Sequence, residues 1–464
     1  MRLRLPNTFV LLFAILALIA LATWFVPGGK YETHLVNGKQ LVDPATFHHV
    51  ASAPQGLVAL MEAPIKGFVE AALIIGFVLM VGGAFAVVQA TSAIDTAIRS
   101  IARAHAHSPL VRAMLIPVFV TLFSLGGATF GMNEEVIPFV LIFVPLALAL
   151  GYDTVTGVSI PFLGSQVGFG AAFLNPFNVG IAQGIAGLPV FSGIGYRLIV
   201  WAAGTLVTVA FLMWYAARVK HNPALSPTFV LDQAKRQEQP AAVSPERMSE
   251  HMSGRHAAVL AVFALALGAM VVGVVKFGWY VEEIAALFLA MAIVVGMIGR
   301  LGTDNWVAAF MQGVKDLAPT ALVIAIARAT MIIARDAHII DTMQHTLMPL
   351  VQSSHPVFAA QKMYLIQSVI NFFIHSGSGQ AALTMPIMAP LADLVGVTRQ
   401  TAILAFQLGE LSTPMIPTSG ITVGVLALAR VPWLTWAKWM IPLQLVYLVL
   451  ALALLVPPCL MQWG

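Results

Sequence analysis

The sequence predicts an all-α polytopic membrane protein made of two inverted repeats, each with a re-entrant hairpin and a broken transmembrane helix. Three observations predict it. The composition is that of a bilayer protein. Two stretches of the chain resemble each other at a nearly constant separation. Polar breaks interrupt apolar runs at matching places in both.

Of the 464 residues, 59% are hydrophobic and 9% charged, against roughly 25% charged in a soluble protein. The mean hydropathy is +0.88. The run "TFVLLFAILALIALATWFVP" from Thr8 to Pro27 is long enough to cross a bilayer, which takes about 20 residues. Arg2 and Arg4 precede it as in a signal peptide. Its apolar part is long and lacks a small-x-small exit, so it reads as a retained first span. "LTWAKWMIPLQLVYLVLALALLVPP" crosses again near the other end.

The single cysteine, Cys459, excludes an intrachain disulfide. No Cys/His cluster has zinc spacing, so neither a metal nor a cofactor is expected. The net charge of +4 is too small and too scattered for a nucleic-acid partner. It reads as topology, because Lys and Arg in short loops mark the cytoplasmic side. Arg2 and Arg4 place the N-terminus inside, residues 28–68 outside, and Arg99, Arg103 and Arg112 the next loop inside. The stretch 218–256 carries Arg218, Lys220, Lys235, Arg236, Arg247 and Arg255 among Pro, Gln, Ser and Glu. It reads as a flexible cytoplasmic linker. It separates an N-terminal half, 1–217, with the first span and repeat 1, from a C-terminal half, 257–464, with repeat 2.

The repeat lies in the spacing. "SAIDTAI" and "HIIDTMQ" align Asp95 with Asp341 (341 − 95 = 246). The same shift carries Gly67 onto Gly313 and Glu70 onto Asp316. Pro145 and Pro390, Gly151 and Gly396, and Gly164 and Gly409 keep a shift of 245 (390 − 145). "NPFN" then lies opposite "IPTS" after a short deletion. A fixed offset over about 100 residues is the mark of an internal repeat. The first copy starts outside and the second, by Arg300 and Lys315, inside. Secondary transporters are built this way, with the site at the repeat interface.

Irregular backbone in a membrane is tolerated only within protein or beside water. The first break, "SLGGATFGMNEE", holds Ser124, Gly126, Gly127, Thr129, Asn133, Glu134 and Glu135. The second, "FLNPFNVG", holds Asn175 and Asn178. The third, "HSGSGQ", holds His375, Ser376, Gly377, Ser378, Gly379 and Gln380, and matches the first. The fourth, "STPMIPTSG", holds Thr413, Thr418 and Ser419, and matches the second. Each half thus has a Gly/Ser-rich tip and a Pro-broken helix, whose freed N–H and C=O groups can bind a substrate. Gly and Pro also serve packing and kinks in membrane helices. The pairing across the repeat favours the binding role.

Ionisable groups in a bilayer are costly and point to function. Of Glu134 and Glu135, one is expected to face the site and the other to cap the returning helix. Glu410 either binds or bonds to Ser412 or Thr413. Arg328, midway along "LAPTALVIAIARATMIIA", either pairs with one of these glutamates or holds a substrate carboxylate. His375 is a helix-end hydrogen bonder or a proton relay. Asp393 is expected to face water at a hairpin foot. Asp95 and Asp341 open amphipathic runs read as interfacial helices, where they are expected to act as N-caps. "HSGSG" is not a nucleophile elbow, and no second acid–base set accompanies it, so no enzyme is read here. A channel would show a continuous polar stripe in place of local breaks.

"LATWFVPGGKYE", "FSLGGATFGMNEE", "NPFNVGIAQGIAGLPVFSG" and "SGSGQAALTMPIMAPLADLVGVTRQTAILAFQLGE" resemble the YfcC-like branch of the C4-dicarboxylate anaerobic carrier (DcuC-like) family. The resemblance spans nearly the whole chain. It implies the ion transporter superfamily fold, a scaffold domain plus a transport domain with two hairpins, elevator motion, a homodimer and a bacterial inner-membrane location. Related dicarboxylate and citrate carriers hold Na⁺ and carboxylate with Ser-Asn-Thr tips. Here the tips read Gly126-Gly127-Ala128-Thr129 and Ser376-Gly377-Ser378-Gly379, which leaves H⁺ or Na⁺ open as the coupling ion. Family naming covers both dicarboxylates and basic amino acids. Three acids, Glu134, Glu135 and Glu410, against one base, Arg328, favour an amino acid of the arginine/ornithine type over a C4-dicarboxylate.

Overall fold

The computed structural model describes residues 8–36, 39–238, 252–351 and 355–464. In the first half, α1 is Thr8–Ala22, α2 Leu57–Glu70, α3 Ala72–Ala90, α4 Ala93–His107, α5 Pro109–Phe130, α6 Val140–Ala149 and α7 Thr154–Gly170. Then come α8 (Ile181–Ile185), α9 (Ile194–His221) and α10 (Phe229–Glu238). The second half holds α11 (Gly254–Phe277), α12 (Val281–Ile298), α13 (Thr303–Asp336), α14 (Ile339–Leu347), α15 (Pro356–Asn371), α16 (Gly377–Leu394) and α17 (Arg399–Gly409). It closes with α18 (Gly420–Leu428), α19 (Trp433–Leu454) and α20 (Val456–Leu460).

Among the described residues, eight helical segments are long and apolar enough to cross a membrane. The expected first span is described as the 15-residue helix α1, which packs on α13. Strands were not expected, but residues 29–36 and 39–49 hold two short antiparallel ladders. β1 (Gly29–Lys30) pairs with β4 (His48–His49), and β2 (Thr33–Val36) with β3 (Lys39–Val42). Thr342 Oγ1 donates to Pro27 O at 2.8 Å, and Phe47 stacks on His345 at 3.8 Å. The loop is thereby strapped to α14.

The two halves use the same backbone devices at the same separations. Ser92 and His338 hold φ of 59° and 58° just before α4 and α14 (338 − 92 = 246). Positive φ is uncommon outside glycine, so the coincidence carries weight. Gly151 and Gly396 hold φ of 82° and 71° (396 − 151 = 245). α13 matches α2 and α3 end to end (303 − 57 and 336 − 90 both give 246), although Ala71 breaks the first copy and the second runs uninterrupted for 34 residues. α13 lies antiparallel to α2 and α3. A Cβ on Gly67 would stand 2.2 Å from Ala325 O, and one on Gly313 2.5 Å from Gly82 O. Only glycine allows backbones this close.

α5 and α7 cross as closely, with Gly168 against Ser124 O and Gly127 against Ser165 O. α7 is buried along its whole length, and α17 is its equal in the second half. These two central helices position the site.

The connector departs from the flexible linker expected. Its described part turns at Pro223–Leu225 and forms α10, which docks on the helix ends. Buried Asp232 accepts from Thr154 N at 3.1 Å and Thr228 Oγ1 at 2.9 Å. Lys235 Nζ donates to Thr154 Oγ1 at 3.0 Å and to Ala429 O at 2.6 Å, so α10 touches both halves. The aspartates expected as N-caps do not cap. Asp95 sits inside the first turn of α4 behind Ser92, and Asp341 accepts from Tyr31 N at 3.1 Å. Backbone in the left-handed region occupies the cap position, so the third residue is free to reach elsewhere.

Candidate functional site

α5 ends where Gly131 takes φ +76° and Met132 N donates back to Gly126 O at 3.2 Å. Gln166 of α7 fixes the turn by donating to Asn133 Oδ1 at 2.7 Å. The Glu135 carboxylate accepts from Asn133 N at 2.8 Å. It therefore plays the capping part, while Glu134 turns into a cavity.

That cavity, about 230 Å³, lies between α2, α13 and the two tips. Glu70, Asn133, Glu134, Tyr280, Arg328, His375, Ser376 and Ser419 line it, with Ile74, Ile324 and Ile421 as apolar wall. Ser376 caps α16 and Ser419 caps α18, so two helix starts border it. Helix starts favour anionic groups. His375 brings a buried Nδ1 with no hydrogen-bond partner among the described residues.

Arg328 pairs with none of Glu134, Glu135 and Glu410. Its partner is Glu70, which accepts from Nη2 at 2.6 Å and Nε at 3.0 Å. The other Glu70 oxygen meets Arg335 Nη1 at 2.9 Å. The two partners are 258 residues apart in sequence, and no local pattern announces such a pair. Glu70 and Tyr280 are thus site residues the sequence reading did not place. Glu70 follows a partly exposed stretch, and Tyr280 resembles a membrane-border aromatic.

Glu410 stands behind the cavity. Its Oε2 accepts from Asn178 Nδ2 at 3.1 Å, and its Oε1 lies against Gly377, where a Cβ would come within 2.9 Å. Neither Ser412 nor Thr413 is its partner, since Asn371 Nδ2 donates to both hydroxyls. Glu410 so joins the broken helix and the tip of its own half to the break of the other.

The remaining expected residues hold the frame. Ser124 bonds Thr205 at 2.7 Å and accepts from Trp201 Nε1 at 2.9 Å. Gly127 is filled by the α7 backbone. Gly126 and Thr129 border a separate apolar cavity of about 580 Å³ between α5, α6 and α11. Asn175 donates to Gly127 O at 3.3 Å and accepts from Phe177 N at 2.8 Å. Gln380 donates to Gln367 Oε1 at 2.7 Å, and Thr418 to Phe372 O at 2.6 Å. Ser378 lies 3.4 Å from Ser376 Oγ, and Gly379 faces a different cavity. Asp393 pairs with Arg399 at 2.7 Å and is half exposed.

Eight membrane-length helical segments among the described residues make this a multi-pass membrane protein, and its family makes it a transporter. The chain belongs to the C4-dicarboxylate anaerobic carrier family, whose pattern matches residues 5–458. It is 36% identical to the "Putative basic amino acid antiporter YfcC" of Escherichia coli, over 93% of this chain and 92% of that one. Two solved structures are similar at lower identity. The YdaH transporter of Alcanivorax borkumensis has a TM-score of 0.43 at 14% identity, covering 99% of each chain. MtrF of Neisseria gonorrhoeae has a TM-score of 0.42 at 19% identity, covering 98% of this chain and 95% of that one.

Proposed function

We propose that the chain is a secondary active transporter of a small carboxylate-bearing metabolite that also carries an ammonium group, an amino acid of the basic kind. The observation that carries this reading is the charge arrangement of the cavity. Glu70 already neutralises Arg328, so Glu134 leaves the cavity with an acid to spare. An ammonium group suits Glu134, and a carboxylate competes with Glu70 for Arg328. The name of the Escherichia coli relative is in keeping with this. The family's description favours the second reading, a C4-dicarboxylate carried with Na⁺ or H⁺. A dianion would meet one arginine, already engaged, and an opposing carboxylate.

The matched positive-φ residues and the antiparallel packing of α13 on α2 and α3 support inverted repeats. The halves we assign are 1–217 and 257–464. The cavity lies between α2, α13 and Tyr280 on one side and the tips and breaks on the other. That division suits a scaffold and a moving body, as an elevator requires. We assign a bacterial inner membrane, a cytoplasmic N-terminus and a homodimer on the same reading.

A thermal-shift screen of purified protein tests the substrate class, since a ligand that binds the folded form raises its midpoint. Arginine, ornithine or lysine is expected to raise it, and Glu134→Gln to abolish the rise. Stabilisation by succinate or fumarate alone would overturn the basic-amino-acid reading.

A further inference from the structure

The second tip has two sides. His375 and Ser376 line the cavity described above. Ile374 and Gly379 line another, of about 320 Å³, bordered by Gly29 and Lys30 of β1. Lys30, Arg335, His338 and Asp341 stand in its walls. The one carboxylate there, Asp341, already accepts the N–H of Tyr31 at 3.1 Å. Asp336, beside Arg335, is shared with Lys66 at 3.6 Å. The balance of this second cavity is cationic.

The two cavities share an acid. Arg328 faces the first and Arg335 the second, and Glu70 gives one oxygen to each, at 2.6 and 2.9 Å. The two arginines are seven residues apart on α13, so they lie on one face about 10 Å apart along the axis. A carboxylate arriving at Arg335 leaves Glu70 with Arg328. When it moves on to Arg328, Glu70 keeps Arg335. Each arginine has an acid at every stage, which avoids the large cost of a half-buried charge left without a partner.

We infer that the second cavity is an entrance subsite for a carboxylate group, held by Lys30 and Arg335, with Glu70 as the acid exchanged between the two arginines. Arg335 supplies a forked donor for the carboxylate and Lys30 a point charge. The inference rests on the transporter reading above and adds a second, outer position on the same route.

Equilibrium dialysis of the purified full chain with radiolabelled arginine and succinate tests it, beside uptake into proteoliposomes. The wild type is expected to bind two equivalents of one probe per chain, and Lys30→Gln with Arg335→Gln one. Lys30→Gln alone leaves the Arg335–Glu70 pair intact. It is expected to raise KM about tenfold with kcat held, which loss of fold would not do. One equivalent in the wild type, with KM unmoved in either variant, would overturn the subsite and leave the inner site standing. Arg328→Gln separates the two readings. Uptake at the wild-type rate in that variant removes the inner site, while the dialysis count still decides the outer one. Binding of neither probe overturns both.

Discussion

At the scale of the residue, the Glu70 carboxylate organises the charges. It is about a quarter exposed and bonded to two arginines. Its sequence neighbourhood gave only a repeat counterpart, Asp316. Pairs formed across 258 positions have no periodicity to betray them, whereas the helix interruptions after Phe130 and Asn371 were legible because Gly, Ser and Asn are costly in an apolar run. A double-mutant cycle between Glu70→Gln and Arg328→Gln is expected to show coupling of about 1–2 kcal/mol in the thermal midpoint. Additive effects would remove the pair from the mechanism. Arg197 teaches the same lesson. It is fully buried and donates to Gln407 and to Gln400 (3.0 Å), with Trp463 over its guanidinium at 5.4 Å. No acid pairs with it among the described residues, and amide oxygens serve instead. Nothing in "GYRLIV" reveals partners supplied by a helix two hundred residues on.

At the scale of the element, the apolar spans and the helix interruptions followed from hydropathy and breaks, but the docking of the connector did not. Its polar composition reports compatibility with water and says nothing about specific partners. Asp153 accepts from Thr156 N at 2.8 Å, Tyr215 Oη at 2.5 Å and Ser226 Oγ at 2.7 Å, making a polar seat for α10. Burial lifts the Asp232 carboxyl above its ordinary range, against the lowering effect of hydrogen bonds from Thr154 and Thr228, with nearby Asp153 adding to the rise. The sign follows. A raised folded-state pKa contributes stability below the ordinary aspartate range, and that contribution fades as pH climbs through the raised value. As the pH climbs above the ordinary aspartate range, the wild-type midpoint is expected to fall relative to Asp232→Asn. Parallel curves for the two proteins would show that Asp232 titrates alike in both states.

At the scale of the whole molecule, the proposed movement of one body against the other would shift Ser376 of one body past Ile324 of the other, both of which line the first cavity. In a Cys459→Ser background, cysteines at these two positions joined by a short reagent are expected to stop uptake until reduced. Full turnover while joined would exclude elevator motion. The antiparallel lie of α13 against α2 and α3 also bears on how the chain is made. A duplicated unit that crosses the bilayer an odd number of times leaves the ribosome with its second copy upside down, with no further instruction. On the proposed inverted-repeat architecture, the α11–α12 pair lies between the copies, adds two membrane-length helices and preserves that parity. Removing either helix alone would ask the insertion machinery to lay both copies the same way up, and the glycines that let Gly67 meet α13 and Gly313 meet α3 would have no opposing backbone to approach.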